Sequence, residues 1–269
     1  MDRNWLGISG VNAVVTGGGG GIGRAISLAL AEAGCCVAVL DRDAGACAET
    51  ARLVEAAGGR SLAVQADITD AQSIGAAADK VEETFGPCGI LVNNAALVRN
   101  GPLSKLSLAD WNAVLTVNLT GYFICSQVFG LRMMHSGGGC IVHVSSMAGS
   151  FPQPTSGAYS VSKAGIMMLS RNLALEWGEK GIRSNVVSPA MVLTPMSEVI
   201  YRDPTVRAKR ESMIPVRRIG MPQDIADAVC FLSSGRASYV NGQEILVDGG
   251  WSSSLLATVP RPGFDQPDR

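Results

Sequence analysis

An α/β domain with a doubly wound parallel sheet and helices on both faces is the fold class that this sequence predicts. Seven short apolar runs recur along the 269 residues, and helix-like segments separate most of them. Such alternation is typical of parallel strands joined by helices. A chain of this length with 47% hydrophobic residues can bury one substantial core, so no second domain is needed. The predicted strands lie at 11–16, 36–40, 61–66, 89–93, 140–145, 183–188 and 243–247.

The first predicted strand leads into a helix through six glycines between Thr16 and Gly23. Glycine lacks a Cβ atom, and the unpaired amides at a helix N-terminus attract anions, so this turn predicts a site for a dinucleotide pyrophosphate. A nucleotide-triphosphate loop would need Lys and then Ser or Thr after the last glycine, whereas the chain has Arg24 and Ala25. A flexible linker is the other interpretation, but linkers do not normally join a buried strand to an amphipathic helix.

The second predicted strand is followed by Asp41, about 20 residues beyond the glycine turn. A carboxylate at this place is expected to accept hydrogen bonds from the adenosine ribose hydroxyls, which favours NAD over NADP. An ordinary loop acid is the alternative. The interpretation therefore depends on Asp41 and the glycine turn together.

Later strands also end in polar or small residues, at Asp67, Asn94, Ser145–Ser146 and Pro189. The carboxyl ends of parallel strands share one edge of the sheet, and ligands bind at that edge. We therefore expect these residues to meet at one site.

Three segments follow from this pattern. Residues 1–251 are predicted to form one domain that binds the dinucleotide and carries the catalytic residues. Within it, the segment 194–214, rich in Met and charged residues, is predicted to form a mobile flap over the site. Residues 252–269 contain few apolar residues after Leu256 and are predicted to be a C-terminal tail.

Composition argues against several other functions. The formal net charge is −1 and there is no long run of Lys or Arg, so neither nucleic acid nor an anionic membrane surface is an expected partner. We expect no membrane span and no signal peptide. The seven cysteines form no CxxC pair, and only His135 and His143 are available, so no metal site is expected. Thiols of this kind are typical of a reducing compartment, which predicts a cytoplasmic protein.

A Tyr and a Lys four residues apart open a predicted helix, at Tyr159 and Lys163. They share a helical face, and an ammonium beside a phenol favours the phenolate, which can exchange a proton with an alcohol or ketone oxygen. Ser146 follows a strand and can hydrogen-bond the same oxygen. Asn118 lies in a predicted helix, where its side chain is expected to hold a water molecule or a backbone group that leads toward Lys163. On its own, the Tyr–Lys spacing is more often a plain solvated pair.

Taken as an ordered set, the motifs closely resemble the short-chain dehydrogenase/reductase family over nearly the whole chain. The resemblance is carried by the TGxxxGxG pattern at Thr16–Gly23, Asp67, Asn93–Ala96, Asn118, Ser146, Tyr159, Lys163 and Asp248–Gly250. It implies a single Rossmann-type domain in which Tyr159 is the catalytic acid/base and Ser146 orients the substrate. Lys163 would hold the nicotinamide ribose and lower the pKa of Tyr159, and Asn118 would complete a proton relay.

The resemblance also implies a cofactor, NAD, and the residues that hold it. Asp67 and Ile68 would hold the adenine, Asn94 would line the cleft, and Thr194 would contact the nicotinamide carboxamide. The cofactor residues so implied are Gly17, Gly21, Ile22, Gly23, Asp41, Asp67, Ile68, Asn94, Tyr159, Lys163, Pro189, Val192 and Thr194. The chain departs from the family pattern at Ala96, where NNAG has Gly, and at Ser188–Ala190, where Asn-Pro-Gly is usual.

The leading hypothesis is an NAD-dependent oxidoreductase that acts on a secondary alcohol or its ketone. Mostly apolar residues are expected around the substrate, which favours a hydrophobic or alicyclic alcohol. An NADPH-dependent 3-oxoacyl reductase, a sugar or polyol dehydrogenase and a non-catalytic nucleotide-binding sensor remain alternatives. The resemblance suggests a homotetramer or dimer through helices near 108–134 and 157–179. The residues expected at the substrate pocket are Leu97, Val98, Met147, Phe151, Gln153, Met191, Met196, Val199 and Ile200.

Overall fold

The apolar runs form one parallel sheet in the computed structural model, which describes residues 5–254, 256 and 259. Seven strands lie within these residues, and each agrees with a predicted run to within one residue at both ends. The strand order is β3-β2-β1-β4-β5-β6-β7. The strands are β1 Asn12–Thr16, β2 Cys36–Asp41, β3 Arg60–Gln65, β4 Cys88–Asn93, β5 Gly139–Val144, β6 Ile182–Pro189 and β7 Glu244–Val247.

Helices cover both faces of this sheet, as the fold class predicts. Side chains of α1, α2 and α9 pack on one face, and those of α3, α5 and α6 pack on the other. The strands supply Val, Ile, Leu and Ala side chains to both cores, which explains why their runs are apolar without alternation. The helices are α1 Gly21–Glu32, α2 Ala44–Ala56, α3 Ala71–Phe85, α4 Leu108–Leu115, α5 Gly121–His135, α6 Tyr159–Trp177, α7 Glu198–Tyr201, α8 Pro204–Met213 and α9 Pro222–Ser233.

The switch in strand order determines where a ligand can enter. β1 pairs with β2 on one side and with β4 on the other, so the crossover connections diverge between β1 and β4. A crevice opens at such a point, beyond the carboxyl ends of the strands. The glycine turn after β1 and Asn94 after β4 therefore face the same crevice.

A helical stretch of 28 residues, Leu108–His135, is long and apolar enough to cross a membrane by length and composition alone. Length and composition do not distinguish a membrane span from the core helix of a domain, because both pass the same test. The stretch comprises α4, a π-helical turn at Thr116–Thr120 and α5. Tyr122 and Phe129 are fully buried in the domain core, so packing against the sheet accounts for its apolar character.

The predicted flap consists mainly of two short helices, α7 and α8. Its inner side is attached to the domain because Tyr201 and Ile214 are buried in a small cluster with Ile219. Whether the flap moves stays a prediction. The predicted tail begins in a short 3-10 helix at Trp251–Ser253, and most of its remainder lies outside the described residues.

Candidate active site

A cleft of about 880 Å³ runs along the carboxyl edge of the sheet. Residues that follow β1 through β6 line it, which is the meeting point that the sequence predicts. Among the predicted site residues, the cleft wall includes Gly17, Gly21, Ile22, Asp41, Asp67, Ile68, Asn94, Ser146, Tyr159, Lys163, Pro189, Val192 and Thr194. Gly23 and Asn118 are not part of the wall, and each has a supporting position described below.

The glycine turn is packed too tightly for side chains. Gly17 has a φ of +61°, and a Cβ there would lie 2.7 Å from the Cα of Ala95. A Cβ on Gly23 would overlap the Gly17 carbonyl oxygen and lie 2.5 Å from Nδ2 of Asn94. Gly23 therefore supports the turn from behind, and its predicted contact with the cofactor stays a prediction.

Asn94 and Thr16 hold that turn against β4. The Asn94 amide donates to the carbonyl oxygens of Thr16 and Gly17 at 3.1 and 3.0 Å. The Thr16 hydroxyl accepts from the Asn94 backbone amide at 3.0 Å and donates to the Val92 carbonyl at 3.3 Å. Thr16 is fully buried, and sequence reasoning assigned it no role beyond its place in the motif. Its side chain, by these bonds, couples the two strands that flank the crevice.

Asp41 lies in the cleft beside the glycine turn, and its carboxylate is held by backbone amides. One oxygen accepts from the amide of Gly19 and the other from the amide of Asp43, each at 3.2 Å. Arg42 lines the cleft beside it. Asp41 is thus not a free loop acid, because its orientation is set by the glycine turn.

The loop after β3 is also rigid. One carboxylate oxygen of Asp67 accepts from the Thr69 backbone amide at 2.9 Å and from the Thr69 hydroxyl at 2.7 Å. These hydrogen bonds lower the pKa of Asp67 below its ordinary value. Ile68 lies in the wall between them.

Tyr159, Ser146 and Lys163 meet at the inner end of the cleft. Tyr159 is the first residue of α6, and Ser146 follows β5 by two residues. Burial raises the pKa of the Tyr159 phenol, and hydrogen bonding with the Ser146 side chain opposes that effect. Burial lowers the pKa of Lys163 to about 7. Whether Lys163 lowers the pKa of Tyr159 stays a prediction, because burial is the largest cause of the shift at both groups.

Asn118 occupies the π-helical turn and is fully buried. Its side chain accepts from the Leu97 backbone amide at 2.7 Å and donates to the Leu97 carbonyl at 3.0 Å. It also donates to the hydroxyl of Ser162, the residue before Lys163, at 3.1 Å. Asn118 therefore joins the loop after β4 to α6, while its part in a proton relay stays a prediction.

In the part of the cleft wall that follows β6, a hydroxyl that the sequence analysis did not single out holds a turn in place. Ser197 donates to the Val192 carbonyl at 2.6 Å and accepts from the Thr194 amide at 2.9 Å. The Thr-x-x-Ser spacing was the available signal, since Ser and Thr hydroxyls commonly bond nearby backbone groups. This turn fixes Thr194 at the rim of the cleft.

The substrate end differs from its prediction. Of the nine residues expected there, Leu97, Val98, Gln153 and Met196 line the cleft, and the other five do not. The polar residues Asn100, Thr116 and Ser156 are present instead. The error arises because spacing along a loop does not determine which side chains turn inward.

Two loops are joined around this end. The Gly101 amide donates to the Thr155 carbonyl at 2.8 Å. Thr155 has a φ of +61°, which is strained for a β-branched residue. The adjoining Gly157 has a φ of +58°, and a Cβ there would lie 2.7 Å from the Arg99 carbonyl oxygen. Gln153 and Ser156 are thus carried by a turn that is held against the loop after β4.

Comparison with known proteins agrees with this geometry. A family model described as Enoyl-(Acyl carrier protein) reductase matches residues 17–252. The D-threitol dehydrogenase of Mycolicibacterium smegmatis is 38% identical over 245 residues, which cover 91% of this chain and 94% of that protein. The cis-4-hydroxycyclohexanecarboxylate dehydrogenase of Sinomonas cyclohexanicum is 38% identical over 242 residues, with 90% and 96% covered.

Solved structures give the same result. The crystal structure of a putative short-chain alcohol dehydrogenase from Sinorhizobium meliloti superposes with a TM-score of 0.87 at 37% identity. The match covers 91% of this chain and 97% of that one.

A parallel sheet with a glycine turn, a Tyr–Lys helix and a neighbouring Ser defines a nucleotide-dependent oxidoreductase. The chain belongs to the short-chain dehydrogenase/reductase family, and it is an oxidoreductase that interconverts secondary alcohols and ketones with NAD(P).

Proposed function

We propose that this protein is an NAD-dependent dehydrogenase of a secondary alcohol, with Tyr159 as its acid/base. The observation that carries the proposal is that one cleft joins the glycine turn and Asp41 at one end to Ser146, Tyr159 and Lys163 at the other. A non-catalytic sensor needs only the first end. The residues fit a dinucleotide because the glycine turn leaves amides open at the N-terminus of α1, with Asp41 beyond them.

When bound, NAD supplies the acceptor for the hydride of the alcohol. The chain itself handles the proton. The phenol oxygen of Tyr159, as phenolate, takes the proton from the substrate hydroxyl, and the hydroxyl of Ser146 hydrogen-bonds the same substrate oxygen. Lys163 supplies ammonium donors beside the phenol. Because burial opposes both ionised forms, we expect this proton transfer to depend strongly on the groups that surround Lys163.

The choice of NAD rests on Asp41. Its carboxylate is held by two backbone amides, so it would meet the ribose hydroxyls of NAD and repel the 2′-phosphate of NADP. Arg42 lies beside Asp41, and its positive charge is the feature that favours NADP. Steady-state kinetics of the wild type with each nucleotide tests this choice, and equal specificity constants would refute it.

For the substrate, we propose a secondary alcohol on an apolar, ring-sized frame. Leu97, Val98 and Met196 offer apolar contacts near the catalytic end. The relative from Sinomonas cyclohexanicum, named for a hydroxylated cyclohexane acid, is consistent with such a frame.

A polyol dehydrogenase is the second candidate, and Asn100, Gln153 and Ser156 in the cleft wall favour it. Buried hydroxyls need partners of this kind, since an unpaired one costs about 1–3 kcal/mol. Specificity constants for cyclohexanol and cyclohexane-1,2-diol against threitol and galactitol, each with NAD, decide between the candidates. A clear preference for the open-chain polyols would overturn the apolar assignment.

We also propose a homotetramer or dimer in the cytoplasm. Exposed apolar side chains on α5 and α6 offer a surface for a second copy, and each is between 45% and 82% exposed: Phe123, Leu131, Val161, Met168 and Leu175. The seven free cysteines are all buried, in keeping with a reducing compartment. Light scattering after size exclusion tests the assembly, and cell fractionation tests the location.

A further inference from the structure

The Lys163 side chain is buried, and none of the described residues supplies a counter-ion to it. Only 1% of the residue is exposed. Among the residues that the structure describes, no carboxylate lies within ion-pairing distance of its amine. Its Nζ donates to one carbonyl oxygen, that of Val144, at 2.9 Å. No salt bridge among these residues therefore offsets the burial that disfavours the ammonium form.

Two aromatic rings surround this amine. Nζ of Lys163 lies 5.4 Å from the ring centroid of Tyr122 and 5.6 Å from that of Tyr159. An ammonium this close to an aromatic ring is attracted by the ring quadrupole, and the attraction is larger in a desolvated site. Tyr159 belongs to the proposed reaction. Tyr122, on α5, has no assigned role.

Tyr122 is held in place on both sides. It is fully buried, and its hydroxyl donates to the Val144 carbonyl at 3.1 Å, the same oxygen that accepts from Lys163. Its ring stacks on the imidazole of His143, with centroids 6.0 Å apart and planes 22° apart. A ring fixed in this way forms a rigid wall beside the amine.

We propose that Tyr122 is a positioning residue that holds the protonated Lys163 side chain beside Tyr159. The inference rests on the proposed function, because it assigns Tyr122 a part in the same site. Three titratable groups face Lys163 from the packed elements: Tyr122 from α5, Tyr159 from α6 and His143 from β5. His143 has its pKa lowered to about 3 by burial and by the Lys163 charge, so it is neutral and leaves the ammonium unopposed at physiological pH.

The test separates the ring from its hydroxyl. Tyr122→Met removes the ring at similar volume, and Tyr122→Phe keeps the ring and removes the hydroxyl. For Tyr122→Met we expect the high-pH limb of the kcat/KM profile to move down by about one pH unit, with about a tenfold loss above that limb. For Tyr122→Phe we expect a profile close to that of the wild type.

Two controls exclude a merely structural effect. Phe129→Met changes another fully buried aromatic residue of α5, and we expect it to lower Tm without moving the pH limb. The dissociation constant of NADH, measured by fluorescence across pH, gives a readout without turnover. In Tyr122→Met we expect NADH binding to weaken at a pH about one unit lower than in the wild type. If Tyr122→Met does not fold, Tyr122→Leu replaces it.

The inference fails if the Tyr122→Met limb superposes on that of the wild type, or moves no further than that of Phe129→Met. The proposed function fails differently, by an absence of wild-type turnover with every alcohol tried. In that case the NADH-binding profiles still decide the part of Tyr122.

Discussion

The two halves of the cleft are built by different means. The cofactor half, from Thr16–Gly23 to Asp41 and Asn94, is formed by backbone atoms and by side chains that bond to the backbone. The substrate half, at residues 97–101 and 153–157, is formed by side chains on loops, several of which are exposed. Cofactor recognition in the first half therefore depends on the path of the backbone. Substrate recognition in the second half depends on the identity of the side chains. Substitutions should have correspondingly different effects in the two halves.

The largest effect is expected where the halves meet. Tyr159→Phe removes only the hydroxyl that transfers the proton, so we expect kcat/KM to fall by about 10²- to 10⁴-fold. NADH binding should stay nearly normal, because no cofactor contact other than that hydroxyl is lost. Lys163→Met should reduce both. Near-normal turnover by Tyr159→Phe would remove Tyr159 from the mechanism and favour the sensor hypothesis.

Acid should destabilise the sheet that carries both halves, because Asn93, His143 and Ser184 form a buried polar contact across β4, β5 and β6. Asn93 donates to Nδ1 of His143 across 3.2 Å, so Nε2 carries the proton toward Ser184. Burial lowers the pKa of His143 from 6.5 to about 3. As the pH falls, His143 therefore binds a proton in the unfolded state before it does so in the folded state. The free energy of unfolding decreases between pH 6.5 and about pH 3.

Between pH 6.5 and 4.5 we expect this group to remove about 2 kcal/mol from the free energy of unfolding. Urea titrations at several pH values measure it. His143→Gln should show a flatter dependence over this interval, whereas His135→Gln, at an exposed position, should match the wild type. Equal slopes for the wild type and His143→Gln would contradict the prediction.

Gly23→Ala tests the backbone packing of the cofactor half. Its methyl group would overlap the Gly17 carbonyl, and overpacking of this kind costs about 1–3 kcal/mol. We expect NADH affinity to fall by about 10- to 100-fold as the turn shifts. Gly75→Ala is the matched control, since nothing lies within 4 Å of its added Cβ and alanine favours its helix. An unchanged NADH dissociation constant in Gly23→Ala would show that the turn tolerates displacement.

Asp41→Ser changes one side chain of the cofactor half and leaves its glycines intact. We expect the preference for NAD over NADP to narrow by about tenfold, since one charge repulsion is removed. The ratio of specificity constants for the two nucleotides measures it. An unchanged ratio would mean that Arg42 and its neighbours, and not Asp41, determine the preference between NAD and NADP.

The smallest effect is expected in the substrate half. Gln153→Leu should change kcat/KM for cyclohexanol little and lower it for polyols by about threefold to tenfold, the effect of one lost hydrogen bond. NADH binding serves as the control and should not change. A loss of NADH binding in Gln153→Leu would end the distinction between the two halves.

Much of the cofactor half could be predicted because its signals are local. A glycine turn between a strand and a helix, and a carboxylate at the next strand end, each have a direct physical reason. Asp41, Asn94 and Thr194 lie in one cleft as expected. Less could be predicted where long-range packing decides. Gly23 and Asn118 share the motifs of the site but lie behind its wall.

The sequence by itself determined the α/β class and the bounds of the seven described strands to within one residue. It also determined that Tyr159 and Lys163 lie on one helix. Hydrophobic runs and helical spacing are properties of neighbouring residues, so they can be read directly. The tertiary structure alone decided that Tyr122 lies against Lys163, that Asn100 and Ser156 line the substrate half, and that burial raises the pKa of Tyr159. These outcomes depend on contacts between distant segments and on the loss of water around them, which local sequence does not encode.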